Sequence, residues 1–131
     1  MIGLDTNVLV RYVMQDDVKQ SRQASSLIEA LSGAEPGFLS VVAVAEFSWV
    51  LEACYGLSKT QQLSALEGLL RTKEFVVEDA DIAWRAIRAC RAGAGDVADC
   101  LIASAGKAAG CSVVMTFDRN AAKHAGMALV T

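Results

Sequence analysis

The chain has 131 residues, of which 53% are hydrophobic and 21% charged, and its formal net charge is −3. This composition excludes an intrinsically disordered chain, and the length suits a single domain spanning residues 1–131. No apolar run reaches the roughly 20 residues of a membrane span, and the first predicted strand leaves no room for a signal peptide, so we expect a cytoplasmic protein. The negative charge disfavours broad affinity for nucleic acid unless metal ions supply positive charge.

The first stretch of the chain predicts a buried strand followed directly by a helix. An apolar run from Met1 to Leu4 precedes Asp5-Thr6-Asn7, and apolar residues at helical spacing follow. Asp5 is therefore expected at the carboxyl end of a strand, where open α/β sheets place their ligand sites. A simple N-cap role for Asp5 is the alternative.

Strand and helix patterns alternate through the rest of the chain. Helices are predicted over 18–31, 42–55, 58–71, 79–91 and 96–110, and strands over 38–41, 75–77, 112–115 and 128–130. This alternation predicts the α/β class, with a parallel sheet covered on both faces. Because residues that follow parallel strands converge on one edge, we expect Asp5 and Asp118 to meet there.

Further acidic residues are predicted near that edge. Glu46 falls at the border of the apolar stripe of its helix, whereas Glu52 falls on the solvent side. Asp96 and Asp99 open a helix and share one of its faces. The alternatives are a surface role for Glu46 and a helix-dipole role for one of the aspartates.

Unpaired carboxylates in one cleft repel each other and raise their own pKa values unless a cation joins them. Hard divalent cations, Mg²⁺ or Mn²⁺, are the natural partners of such oxygen ligands. These ions can activate water and stabilise a displacement at phosphorus. The acidic pattern therefore predicts metal-dependent phosphodiester hydrolysis.

Other side chains suggest less specific roles. We expect the four cysteines to be small buried apolar residues, and the single histidine, His124, indicates no zinc site. Arg85, Arg88 and Arg91 share a helix face, which is either solvated or a phosphate-contacting ridge. Trp49 projects away from its apolar stripe, so either the 58–71 helix covers it or it lies in a protein–protein interface.

Four segments of the chain resemble, in order, the motifs of PIN-domain ribonucleases. The resemblance is strongest to the VapC-type toxins of bacterial toxin–antitoxin systems, and it covers essentially the whole chain. The segments are Leu4-Asp5-Thr6-Asn7-Val8-Leu9-Val10-Arg11, Val44-Ala45-Glu46-Phe47, Asp96-Val97-Ala98-Asp99-Cys100-Leu101-Ile102-Ala103 and Thr116-Phe117-Asp118-Arg119.

The resemblance implies a three-layer α/β/α sandwich with a mainly parallel sheet of four to five short strands. It also implies a homodimeric endoribonuclease that uses Mg²⁺ or Mn²⁺ and is inhibited by a small VapB-type antitoxin. Its catalytic and metal-binding acids would be Asp5, Glu46, Asp99 and Asp118. Its supporting residues would be Thr6, Asn7, Asp96 and Thr116. The candidates for RNA contact are Arg11, Arg85, Arg88, Arg91 and Arg119, and Trp49 is the candidate for a partner interface.

Two alternative functions have their own sequence tests. A receiver-like signalling domain also binds Mg²⁺ through aspartates, but it usually carries adjacent acids after the first strand and a lysine after the last. Here Asp5 stands alone and Lys123 falls in a helix. A PIN-like module that binds RNA or protein without cleaving it is the second alternative. The presence of all four acids argues against it, and a nuclease assay separates the two.

Overall fold

Strands and helices alternate along the chain in a computed structural model that describes residues 1–131. In chain order the elements are β1 (Ile2–Gly3), α1 (Thr6–Met14), α2 (Val18–Glu29), β2 (Gly37–Leu39), α3 (Val41–Ala53), α4 (Lys59–Leu70), β3 (Phe75–Val77), α5 (Ala80–Arg91), α6 (Val97–Ala108), β4 (Met115–Thr116), α7 (Arg119–His124) and β5 (Ala128–Leu129). None of the helices combines the length and the apolar character that crossing a bilayer requires. The largest departure from the predicted bounds is the start of β4, at Met115 instead of Ser112.

The strands divide between two parallel sheets. β1, β2 and β3 form one sheet in that order, with Ile2 opposite Gly37 and Gly37 opposite Phe75. Each connection between these strands carries two helices, as parallel pairing requires. β4 and β5 pair with each other in a second sheet, so strand order does not bring Asp5 and Asp118 to one edge. The predicted α/β class, the parallel pairing and the number of strands are confirmed, but the five strands form two sheets where the resemblance implied one central sheet.

The core is built around α3, which packs against α1, α4 and α6. Phe47 and Leu51 of this helix are completely buried, together with Leu9, Leu66 and Ile87 from the neighbouring helices. α3 is apolar nearly all round, as is typical of a helix at the centre of a domain. Its remaining apolar side chains therefore lie on the face that is turned away from the core.

A polar cluster ties α1 to α2 and to the end of α3. Arg11 Nη1 donates to Asp16 Oδ1 at 3.0 Å and to the Tyr55 hydroxyl at 3.1 Å, and Arg11 Nε donates to Gln20 Oε1 at 2.8 Å. The Tyr55 hydroxyl in turn donates to Asp16 Oδ2 at 2.7 Å, which lowers the pKa of Asp16 and raises that of Tyr55. The guanidinium of Arg11 is thus engaged within the protein.

The cysteines do not share one environment. Cys90 and Cys100 are buried, as predicted, and burial is the main reason why the pKa of the Cys100 thiol rises to about 12. Cys54 and Cys111 are exposed, so the prediction is wrong for these two. Cys54 caps the end of α3, where the chain leaves the core, and Cys111 lies in the loop after α6.

Residues 111–131, which we call the C-terminal segment, approach α6 at two glycines. A Cβ at Gly106 would lie 2.5 Å from Val114 Cγ2, and a Cβ at Gly95 would lie 3.3 Å from Ala125 Cβ. Gly95 also has a φ of +112°, a backbone conformation that other residues rarely adopt. The segment contributes only Ala121 and Met127 to the buried residues, so its position depends strongly on these two close approaches.

Gly106→Ala is expected to loosen the C-terminal segment. Alanine normally stabilises a helix interior relative to glycine by about 0.5–1 kcal/mol. At this position the added methyl would collide with Val114, whose β-branched side chain is stiff. Amide hydrogen exchange should therefore become faster in residues 112–131, while α3 and α5 keep their protection.

Gly68→Ala in α4 is the matched control, because no atom lies within 4 Å of the added Cβ. It should raise the thermal unfolding midpoint by the amount that corresponds to the usual stabilisation of a helix interior by alanine relative to glycine, about 0.5–1 kcal/mol. Equal stabilisation by the two substitutions would contradict the close approach at Gly106.

Candidate functional site

Three of the predicted acids cap helices, and the caps fix their positions. Asp5 caps α1, Asp96 caps α6 and Asp118 caps α7. Oδ1 of each accepts a hydrogen bond from a backbone N–H of its first helical turn, at 2.7–2.9 Å. The positive end of each helix dipole also favours the ionised carboxylate. The capping role of Asp5 is thus real, and it coexists with a position directly after β1.

Asp99 lies in the first turn of α6, half-buried beside other acids. Its pKa is raised, first by burial and then by the negative charges of Asp96 and Asp118. Desolvation and like charges both disfavour the ionised form of a carboxyl group. Asp96 and Asp99 thus lie together at the start of α6, and the charge of Asp118 acts on Asp99 as well.

The position of Asp118 depends on β4 and on Gly95. Thr116 Oγ1 accepts from the backbone N–H of Asp118 at 2.9 Å, which fixes the turn between β4 and α7. A Cβ at Gly95 would lie 3.7 Å from Asp99 Oδ2 as well as close to Ala125 at the end of α7. Gly95 is thus the point where the C-terminal segment meets Asp99, a closeness that its position in the sequence does not reveal.

Glu46 lines an apolar groove between α3 and α6. The groove has a volume of about 560 Å³, and its wall includes Val42, Trp49 and Ile102, which are 72%, 60% and 55% exposed. Because Trp49 is this exposed, α4 does not cover it. The groove is a continuous apolar surface with one carboxylate in its wall.

The acids are of the chemical type that binds a divalent cation, and some of them lie near one another. Carboxylate oxygens are the ligands that Mg²⁺ prefers, and the raised pKa of Asp99 reflects concentrated negative charge that a cation would relieve. Asp5 caps α1 and Glu46 lies on α3, and these two helices pack together. However, no group of three or more acidic, cysteine or histidine side chains is arranged as a set of metal ligands.

The predicted basic ridge on α5 divides into two parts. Arg91 pairs with Glu67 of α4, which also binds Arg71 at 2.9 Å. Arg85 and Arg88 instead line a cavity of about 270 Å³ together with Lys107 of α6. None of these three cations forms an ion pair with a carboxylate.

The two other predicted RNA contacts also differ from each other. Arg11 is held by Asp16, Tyr55 and Gln20, as described above. Arg119 is exposed at the start of α7, next to Asp118, and forms no ion pair. Only Arg119 of these two is free to contact a ligand near the acids.

The sequence matches the family model described as PIN domain over residues 2–127. No curated protein matches it. The matched range includes the four predicted acids and all of the secondary structure up to α7. The family finding thus covers the whole of the candidate site.

Asp99→Asn is expected to stabilise the protein at neutral pH when EDTA is present. Because folding raises the pKa of Asp99 above its usual 3.8, its contribution to stability is fully present below that value and is lost as the pH rises through the raised value. Asparagine removes the charge at nearly constant size. The thermal unfolding midpoint of the variant should exceed that of the wild type at about pH 7, and the difference should vanish at about pH 3.

Asp81→Asn, at an exposed position in the first turn of α5, provides the control and should give no such gain. A midpoint below that of the wild type for Asp99→Asn at neutral pH would show that the surroundings of Asp99 favour its ionised form.

Proposed function

The chain belongs to the PIN domain family, and from this premise we propose that it is a metal-dependent endoribonuclease, the cytoplasmic toxin of a VapBC-type toxin–antitoxin pair. PIN domains are generally nucleases and typically use divalent metals. The observation that carries the proposal is the grouping of Asp96, Asp99 and Asp118 at the start of α6, with the raised pKa of Asp99. A site that concentrates negative charge in this way is suited to a cation and, through the cation, to a phosphate.

We assign the metal ligands to Asp5, Glu46, Asp99 and Asp118, with Mg²⁺ or Mn²⁺ as the ion and Asp96 as a supporting acid. A bound ion would polarise the phosphoryl oxygen and lower the pKa of a water molecule. Since no three of these acids are arranged as ligands here, the proposal includes their approach toward one another. The C-terminal segment, which carries Asp118 and buries few residues, is suited to that movement.

The chain's own residues have separate tasks in this proposal. Asp99, in the first turn of α6, would hold the ion beside Asp96, and the ion would relieve the repulsion that raises the pKa of Asp99. Thr116 holds the backbone that presents Asp118. Thr6 is buried beneath the start of α1 and Asn7 is exposed there, so they support and flank Asp5 respectively.

The basic cavity lined by Arg85, Arg88 and Lys107 is the surface that we assign to the RNA backbone. Cys100, which follows Asp99 directly, and Ala125, which approaches Gly95, line the same cavity. The cavity thus adjoins the acids. A local group of unpaired cations also explains how a chain of net charge −3 could hold a polyanion.

The groove around Trp49 is the surface that we assign to a protein partner. Exposed apolar patches of this kind mark contacts, and tryptophan is enriched among the residues that anchor interfaces. The partner is either the second copy of a homodimer or the small VapB-type antitoxin. Because Glu46 lies in the same groove, a partner bound there would also restrict access to one of the proposed ligands.

The receiver-like alternative is excluded by the family match. A PIN-like module that binds RNA without cleaving it differs from our proposal in a single property, cleavage, which the following substitutions test.

Asp5→Asn, Asp99→Asn and Asp118→Asn should each leave the protein folded and make RNA cleavage undetectable. Each removes one charge from the ligands of a shared cation. Asparagine is as good an N-cap as aspartate, so the helix starts at Asp5 and Asp118 are preserved. Mapping of RNA ends after incubation with Mg²⁺ or Mn²⁺ measures the loss, and circular dichroism checks the fold.

Asp17→Asn is the matched control, because Asp17 caps α2 through the backbone N–H of Gln20 at 2.7 Å and is not among the proposed ligands. It should cleave as the wild type does. Near-normal cleavage by one of the three site variants would remove that residue from the assignment.

Glutamine substitutions should show that the three cations lining the cavity contribute to RNA binding and that Arg91 does not. Arg85→Gln, Arg88→Gln and Lys107→Gln should each weaken binding of single-stranded RNA and flatten the plot of log affinity against log salt by about 0.7. Arg91 lies on the same face of α5 but is paired with Glu67 of α4, so Arg91→Gln should leave the RNA affinity and its salt dependence unchanged. Equal losses for Arg91 and the other three would mean that the cavity is not the phosphate site.

A further inference from the structure

A second polar cavity, of about 480 Å³, lies between α1 and α2. It begins at Asn7, two residues after Asp5, and its volume is in the range of small-ligand sites. Its lining consists of Asn7, Val8 and Arg11 from α1 and Gln20, Gln23, Ala24 and Leu27 from α2. The polar part of this lining is made mostly of amide groups.

Arg11 brings little free charge to this cavity. Its Nη1 lies 3.0 and 3.2 Å from the two carboxylate oxygens of Asp16 and also donates to Tyr55. Asp17 adds a second negative charge in the same turn between the helices. Because the only cation is already paired, the cavity is poorly suited to a phosphate and better suited to a neutral polar group.

The amides of this cavity are available for such a group. The side chains of Asn7 and Gln23 are exposed and form no hydrogen bond within the protein, so each offers both a donor and an acceptor. Gln20 differs, because its Oε1 accepts from Arg11 Nε at 2.8 Å and its Nε2 is therefore the group that it offers. Leu27 and Val8 supply apolar surface beside these amides.

Apolar faces and an edge of donors and acceptors are the properties of an unstacked nucleobase. Sequence-specific proteins recognise single-stranded RNA by hydrogen-bonding the edges of such bases. We propose that the cavity between α1 and α2 binds one unpaired base of the RNA substrate, next to the cleaved bond; its place beside the cut rests on the proposed nuclease function.

Adenine is the base that we assign to this lining; unpaired cytosine and uracil also present a donor beside an acceptor, so the measurement below compares the three bases. The amide of asparagine or glutamine pairs bidentately with adenine, through the N6 donor and the N7 acceptor. Gln23 is the central contact, since neither its amide oxygen nor its amide nitrogen is used within the protein, whereas the Oε1 of Gln20 is oriented by Arg11. Arg11 is a positioning residue here, because it acts on the base through the orientation of Gln20.

Binding of short homopolymeric ribo-oligonucleotides of adenine, cytosine and uracil, measured by fluorescence anisotropy in EDTA, tests this proposal without requiring cleavage. Gln23→Ala should weaken binding of the adenine oligomer about tenfold and change binding of an abasic oligomer little. Arg11→Lys, which keeps the charge but loses the Nε hydrogen bond, should lower the preference for adenine over uracil. Ser26→Ala, exposed on α2 outside the cavity, is the matched control and should bind as the wild type.

Three results would overturn the base site. Wild-type binding of every oligomer by both Gln23→Ala and Gln20→Ala would show that the amides do not contact RNA. Equal weakening of the adenine and abasic oligomers would assign the cavity to the backbone. Altered self-association of Gln23→Ala with unchanged RNA binding would assign it to a protein partner. Absence of cleavage by the wild type in Mg²⁺ or Mn²⁺ would instead contradict the nuclease proposal, whatever the binding results.

Discussion

Repulsion among carboxylates at the start of α6 is the constraint on which the candidate site depends. Asp99 is half-buried, and its pKa is raised first by burial and then by the negative charges of Asp96 and Asp118. The fold holds this arrangement through helix caps at Asp96 and Asp118 and through the approach of the C-terminal segment to Gly95 and Gly106. A cation bound beside these acids would offset their charge.

The other charges of the molecule are arranged around that constraint. Three arginines are paired with carboxylates elsewhere, in the cluster around Arg11 and in the bridge from Glu67 to Arg71 and Arg91. Cations without carboxylate partners remain in the cavity beside α6, adjoining the acids. The small net charge of the chain is therefore a poor guide to its local electrostatics, because acidic and basic groups occupy neighbouring surfaces.

Local signals were sufficient to predict much of this structure. The position of Asp5 after β1 and the opening of α6 at Asp96 follow from an apolar run beside a capping residue, a pattern that lies within a few positions of the chain. The exposure of Trp49 likewise follows from helical spacing on α3.

What could not be predicted depends on contacts between distant residues. Arg91 looks equivalent to Arg85 and Arg88 on a helical wheel, yet Glu67, 24 positions away, neutralises it. Similarly, helical spacing does not show that Tyr55 and Asp16 engage Arg11, or that β4 pairs only with β5. The closeness of Gly95 to Asp99 and Ala125 is also a tertiary property, since it requires the C-terminal segment to be in place.

The central claim is that Asp99 and its neighbouring acids form a cation site. It is tested most directly by thermal unfolding in increasing Mg²⁺ or Mn²⁺. A ligand that binds only the folded state stabilises it by about 2.7 kcal/mol at a hundredfold excess over its Kd. We expect the unfolding midpoint to rise for the wild type and for Asp17→Asn, and to rise much less for Asp99→Asn. An equal rise in all three proteins, or none in the wild type, would contradict the claim.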